Sequence, residues 1–146
     1  GKTAASATAF TAAEMMDLYF SVDSAYRDLP GTAFMMSDTI LAAVCKLADT
    51  TGQPIWSGGL NTAPGNTIMG KPVIVNNDMS AALTTGQKIM LFGNGLRAYV
   101  WRDVGDVQLK VMNETYITSL AIGFVAFARF DGITVDANAA KLLVLA

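Results

Sequence analysis

Few residues in this chain could do chemistry, and their spacing argues against most of it. Asp103 and Asp106 flank Gly105 and are the nearest thing to a carboxylate pair for acid–base hydrolysis. They lie between two strand-like stretches, where a solvated hairpin turn accounts for both. Gly65-Asn66-Thr67-Ile68-Met69-Gly70-Lys71-Pro72 nearly spells a phosphate-binding loop. That motif needs Ser or Thr after the lysine to hold magnesium, then a helix whose N–H groups cradle phosphate. Pro72 supplies neither hydroxyl nor N–H and a strand pattern follows, so nucleotide binding is excluded; the proline reads as the first residue of a strand. Asn76-Asn77-Asp78 lacks the ligand spacing of a calcium loop. Asn113-Glu114-Thr115 fits a glycosylation acceptor but has no secretory context. The chain has no histidine, which removes the commonest general base at neutral pH and most zinc and iron sites. Cys45 is the only cysteine, so no disulfide or cysteine metal cluster forms within the chain. It falls beside Leu41 and Val44 on an apolar helix side and reads as a small buried hydrophobe. No catalytic, metal or cofactor-binding residue is expected.

Composition points elsewhere. The chain has 146 residues, room for one real core. It is 52% hydrophobic and 15% charged, against about 25% charged in an ordinary soluble domain. An apolar surplus is expected where neighbours cover it, which suits an assembly subunit. The net charge is −2 with no basic block, so no specific nucleic-acid footprint is expected. No apolar run is long enough to span a membrane. The eight methionines read mainly as gap-filling core.

The elements follow from periodicity. Thr11-Ala12-Ala13-Glu14 is a capping box, in which the threonine hydroxyl accepts a backbone N–H and the glutamate reaches back. Met15, Leu18, Tyr19, Val22, Tyr26 and Leu29 then recur at helical spacing until Pro30-Gly31 ends the helix. Thr32 to Met36 is a short buried strand, and Ser37 caps a second helix with Ile40, Leu41, Val44 and Leu47 on one face. Asp49 to Gly52 is a turn, and Ser57 to Thr67 a polar loop long enough to be functional. Strands are expected at Val73–Val75 and Lys88–Phe92. After a Gly93-Asn94-Gly95 turn, further strands are expected at Ala98–Trp101, Val107–Val111, Leu120–Phe130 and Leu142–Leu145. Val107, Leu109 and Val111 alternate with polar residues, as in a half-buried strand. Helices first and strands later make the class α+β. Arg129 and Asp131 share one face of the expected strand, either as an exposed ion pair of little worth or as a contact to a neighbour.

The order and spacing of several segments carry a resemblance. These are Met35-Met36-Ser37, Lys46 through Gln53-Pro54-Ile55-Trp56, Met69-Gly70-Lys71-Pro72-Val73-Ile74-Val75, Asn77-Asp78-Met79, Leu91-Phe92-Gly93-Asn94 and Ala128-Arg129-Phe130-Asp131-Gly132. From about Ala12 to Ala146 the chain resembles the C-terminal half of the tailed-bacteriophage major capsid proteins, the Hong Kong ninety-seven type. The resemblance implies the α+β capsid fold. Residues 1–11 would be a linker remnant, 12–104 an axial domain, 105–134 peripheral-domain strands, and 135–146 a return to the axial domain. It implies a structural, non-enzymatic protein that needs no cofactor and forms pentamers and hexamers. These would close into the icosahedral head of a phage or prophage around DNA, assembled in the bacterial cytoplasm. The family's N-terminal arm, extended loop and spine helix would precede position 1. Tyr116-Ile117-Thr118 stands near the expected crosslink acceptor, so self-crosslinking is not expected. Candidate subunit contacts are Trp56, Asn61, Asn66, Arg102, Asp103, Arg129 and Asp131. An encapsulin-like cellular compartment is the alternative within this fold, and a small carboxylate hydrolase the alternative outside it. An exposed apolar edge is expected near Val107 to Phe130.

Overall fold

A computed structural model describes residues 1–48, 52 and 67–146. The chain divides into two compact units, Gly1–Ala98 with Asp136–Ala146, and Tyr99–Val135.

The first unit is built on a sheet. Its strands are β1 (Lys2–Thr3), β2 (Thr32–Met36), β3 (Thr67–Ile68), β4 (Lys71–Val75), β5 (Lys88–Asn94) and, from the end of the chain, β10 (Ala140–Val144). They lie in the order β1-β10-β5-β2-β4-β3. β5 runs antiparallel to both neighbours, β2 and β10, while β2 and β4 are parallel. The opening residues, expected as a linker remnant, supply an edge strand. β1 lies parallel to Leu143 and Val144, and Ala4 and Phe10 are buried. Small side chains leave the backbone free to pair, which composition alone does not reveal.

Helix α1 (Ala12–Ser21) starts as its capping box dictates. The Glu14 N–H donates to Thr11 Oγ1 at 3.3 Å, and the Thr11 N–H donates to Glu14 Oε2 at 2.7 Å. The Ala5 N–H donates to the other Glu14 oxygen at 2.6 Å, tying the opening segment to this helix. The single long helix expected up to Leu29 is two. Val22 takes extended geometry, and Asp23 caps a short α2 (Ser24–Arg27) by accepting the Ala25 N–H at 2.9 Å. Val22 stays buried across the break, so the apolar spacing persists while the axis does not. Helix α3 (Asp38–Cys45) follows β2. Ser37 stands at its start, but its hydroxyl donates to the Ser80 carbonyl at 3.4 Å and makes no cap. The core lies among Met15, Leu18, Ile40 and Val44 of the helices and Phe34, Met36, Met90, Phe92 and Leu143 of the sheet. Phe92 packs on Phe34 and Tyr19 with ring centroids 4.3 and 4.9 Å apart. Met15, Met36 and Met90 fill core, whereas Met16 and Met69 are exposed.

Met69 and Gly70, both at positive φ, form the tight turn that pairs β3 with β4. Pro72 lies inside β4 rather than at its first residue. The expected Gly93-Asn94-Gly95 turn is corrected: Gly93 and Asn94 complete β5, and a short helix α4 (Gly95–Ala98) follows. Gly93 has φ 151°, and a Cβ there would overlap Ala139 and Ala140 of the passing chain.

The second unit is a β ribbon. β6 (Tyr99–Asp103) pairs with β9 (Phe130–Thr134), and β7 (Gln108–Met112) pairs with β8 (Gly123–Phe127), all antiparallel. Residues 113–122, with a single 3₁₀ turn at Ile117–Ser119, close the far end. The continuous strand expected over Leu120–Phe130 is therefore corrected. Leu120 is left-handed (φ 50°), and Ala128-Arg129 separates β8 from β9. Nor does Gly105 turn a hairpin between β6 and β7, since each pairs with the returning chain instead.

Candidate interaction surface

The ribbon's side chains sort by register. Directly opposed residues share a face, so Leu109 with Ala126 and Val111 with Phe124 make one side of β7–β8 wholly apolar. The opposite side is mixed, with Gln108 across from Phe127 and Lys110 across from Val125. Lys110 Nζ lies 5.6 Å from the Phe127 ring centre, a cation over an aromatic face. No residue from Tyr99 to Val135 is buried. Phe124 is 66% exposed, Leu109 63% and Leu120 97%. The strand through Val107, Leu109 and Val111, expected to be half-buried, has neither face covered within the chain.

In the β6–β9 half, Trp101 stacks on Phe130 at 5.1 Å, and its indole N–H donates to Asp103 Oδ1 at 2.8 Å. Gly132 lies under Tyr99, and a Cβ there would overlap the Tyr99 hydroxyl. The glycine that ends Ala128-Arg129-Phe130-Asp131-Gly132 thus makes room for an aromatic ring on the opposing strand. Arg102 stands directly across from Asp131. The placement of Arg129 and Asp131 on one strand face is corrected. Arg129 lies in the break between β8 and β9, where its carbonyl accepts the Val104 N–H at 2.9 Å. The break is uneven, residues 104–107 on one side facing 128–129 on the other, which bulges the ribbon. Val104, Gly105, Asp106, Gln108, Phe127 and Arg129 line a shallow cavity of about 300 Å³ at this bulge.

Of the candidate contact residues, Arg102, Asp103, Arg129 and Asp131 are all exposed on the ribbon. Trp56, Asn61 and Asn66 lie outside the described residues, as do most of the polar loop they belong to and the Asp49–Thr51 part of the expected turn. Among the described residues the ion pairs are Lys2–Asp17 at 3.0 Å and Lys71–Asp28 at 3.3 Å, so the ribbon's four charged candidates make none with one another. No cluster of metal-ligating side chains occurs among the described residues. Asn76 and Asn77 instead accept the N–H groups of Asp78 and Asp38. No helix among the described residues is long and apolar enough to cross a membrane. Sequence reasoning expected an exposed apolar edge near Val107 to Phe130, which includes Phe124, but missed the exposed Trp101 and Ile133. The signal was present, in an apolar run with no second run to cover it.

The first unit also exposes aromatic surface. Phe20 is 67% exposed, and the Arg27 guanidinium lies 5.1 Å from its ring centre and 5.4 Å from that of Tyr19.

Comparison with known proteins agrees with this picture. Among solved structures the chain is similar to the capsid of an empty GTA particle computed with C5 symmetry. The TM-score is 0.80 and the identity 24%, covering 99% of this chain and 49% of that one. The capsid of the native GTA particle, likewise computed with C5 symmetry, gives 0.81 and 24%, covering 99% and 48%. A chain of Gordonia phage Cozz gives 0.64 and 16%, covering 100% and 50%. The chain thus spans about half the length of the solved chains it matches, and these likenesses show the fold. No curated protein matches. The phage capsid family matches along residues 1–145. With its α+β architecture shared with solved capsids, this chain belongs to the phage capsid family.

Proposed function

We propose that the chain is the structural, non-enzymatic part of a major capsid protein whose copies assemble into pentamers and hexamers of a phage or prophage head. The single observation that carries this reading is the ribbon. It has no buried residue, and its β7–β8 pair has one wholly apolar face. A two-stranded ribbon is marginally stable in water on its own, and apolar surface of this extent marks a contact site. In closed assemblies identical copies supply the cover for one another.

On this reading residues 12–104 are the axial domain, 105–134 the peripheral strands and 135–146 the return. Arg102, Asp103, Arg129 and Asp131 contact neighbouring subunits, and Trp56, Asn61 and Asn66 do so near the capsomer centre. Assembly takes place in the bacterial cytoplasm, and the shell encloses DNA without reading its sequence, in line with a net charge of −2. The similar structures include capsids of GTA particles, which favours a head over an encapsulin-like compartment.

The test is expression of the whole reading frame with and without Phe124→Asp, followed by sedimentation and electron microscopy. Closed shells are expected from the parent. The variant should give soluble subunits with an unchanged melting temperature, because Phe124 packs against little in its own chain. Shells of equal yield from both proteins would overturn the reading.

A further inference from the structure

Among the described residues one buried polar side-chain atom has no hydrogen-bond partner, Arg27 Nε. A buried donor left unpaired is costly and rare, so it asks for an explanation. Arg27 makes no ion pair among the described residues either, and its guanidinium is held over the rings of Tyr19 and Phe20. Beside it Met16 and Phe20, four residues apart on one face of α1, are 49% and 67% exposed. An arginine set among exposed apolar side chains is the usual make-up of an interface anchor.

Charge and topology name the partner. Of the first unit's described side-chain carboxylates, Glu14, Asp23 and Asp136 hold hydrogen bonds within the unit. Asp17 and Asp28 have lysine partners. That leaves Asp38 and Asp78, both exposed. The Asp38 N–H donates to Asn77 Oδ1 at 3.2 Å and the Asp78 N–H to Asn76 Oδ1 at 3.0 Å, so the two stand at one corner. Lys88 lines a depression with Asp78 but pairs with neither carboxylate.

β2 and β4 run parallel, and Asp38 and Asp78 follow their C-terminal ends. Arg27 comes before the other end of β2, where the Tyr26 carbonyl accepts the hydroxyl of Thr32, the first strand residue, at 2.8 Å. A five-residue strand, about 17 Å long, therefore separates the cation from the acids. They cannot meet inside one copy, whereas a second copy set head to tail brings them together. Such a contact repeats from copy to copy and closes into a ring. We propose that Arg27, with Met16 and Phe20 beside it, receives the Asp38–Asp78 corner of the next copy. A carboxylate takes a guanidinium through two N–H groups at once, and the exposed Phe20 ring can turn aside to admit it. This contact rests on the reading of the chain as an assembling subunit and lies wholly within first units, apart from the charged residues of the ribbon.

Charge reversal in the whole reading frame tests it, with sedimentation velocity as the readout. Arg27→Asp should lower the assembled fraction by about tenfold, and so should Asp38→Arg combined with Asp78→Arg. All three substitutions in one chain put the acid on the anchor and the cations on the corner, and should restore assembly. Equal amounts of the two defective proteins should assemble when mixed, because each then offers what the other lacks. Equal assembly by the parent and Arg27→Asp overturns the contact and leaves the capsid reading standing. So does failure of both the triple variant and the mixture to recover. A parent that stays monomeric overturns both. If Arg27→Asp lowers the melting temperature, the exposed Asp38→Arg, Asp78→Arg pair and its rescue by the triple variant decide.

Discussion

The two units have similar shares of apolar residues and dispose of them in opposite ways. In the first, Leu18, Phe34, Ile40 and Phe92 are fully buried between helices and sheet. In the second, Phe124, Leu109 and Ile133 stay exposed on a ribbon only two strands wide. A six-stranded sheet with helices against it makes its own interior. A two-stranded ribbon has no third layer, so its apolar residues have no interior to enter. Hydropathy therefore says that a residue wants cover, and topology decides whether its own chain supplies it.

The sharpest way to break this contrast is to truncate an aromatic residue in each unit. Phe92→Ala removes a ring packed against both Phe34 and Tyr19, and should cost about 3–5 kcal/mol in urea unfolding. A loss below about 1 kcal/mol would mean that the first unit is not a core in the usual sense. Next in size is Thr11→Ala. It deletes the hydroxyl half of the capping box and should cost about 1 kcal/mol, read as a lower urea midpoint at unchanged slope. Smaller again on folding is Val111→Asp in the ribbon. It should change subunit stability by no more than about 0.5 kcal/mol, yet abolish association between copies in sedimentation velocity. Loss of folding comparable to Phe92→Ala would show that the apolar face is covered within its own chain, and the contrast would collapse.

These contrasts also mark what the sequence can disclose. The capping box at Thr11 and Glu14 was legible because its partners lie within one helical turn. So were Thr32–Met36 and the alternation of Val107, Leu109 and Val111 with polar residues, which are local patterns. The break after Ser21 was not, because Val22 keeps the apolar spacing while its backbone leaves the helix. The division of Leu120–Phe130 into two strands was hidden as well. It depends on residues 104–107 opposite, and a register between distant segments leaves no mark in either one. Gly93-Asn94-Gly95 has the composition of a turn, yet Asn94 serves Pro30 and Thr32, more than sixty residues earlier. As for the interaction surface, composition disclosed that apolar residues were in excess. The sequence also marked Val107 to Phe130 as exposed, but which side chains share a face followed only from the pairing of β6 with β9 and β7 with β8.

The smallest expected effect concerns pH, and it belongs to a pair of the first unit, in which the Tyr26 hydroxyl donates to Asp136 Oδ2 at 2.6 Å. The Tyr26 hydroxyl, and after it the Asn138 N–H, hold the Asp136 carboxyl below the usual carboxylate range, outweighing a push upward from burial and helped by Lys141. The same hydrogen bond raises the Tyr26 phenol above its ordinary value, aided by the charge of Asp136 and opposed by Arg97, with Asp23 adding a weaker upward push. A carboxyl depressed in the folded state contributes stability above its unfolded value, near 3.9. That contribution is lost as pH falls through the lower folded value. A phenol raised in the folded state contributes below its unfolded value, near 10, and loses that contribution as pH rises through the folded one. The pair should therefore hold across the neutral range and weaken at both extremes, as a constitutive fastening that does not switch near neutrality. Carbon-13 NMR of the Asp136 carboxyl gives the check. Its midpoint should rise toward the ordinary value in Tyr26→Phe and stay put in Phe124→Asp, since the ribbon face makes no bond to it. A midpoint that is the same in the parent and Tyr26→Phe would mean that the phenol does not hold the carboxyl.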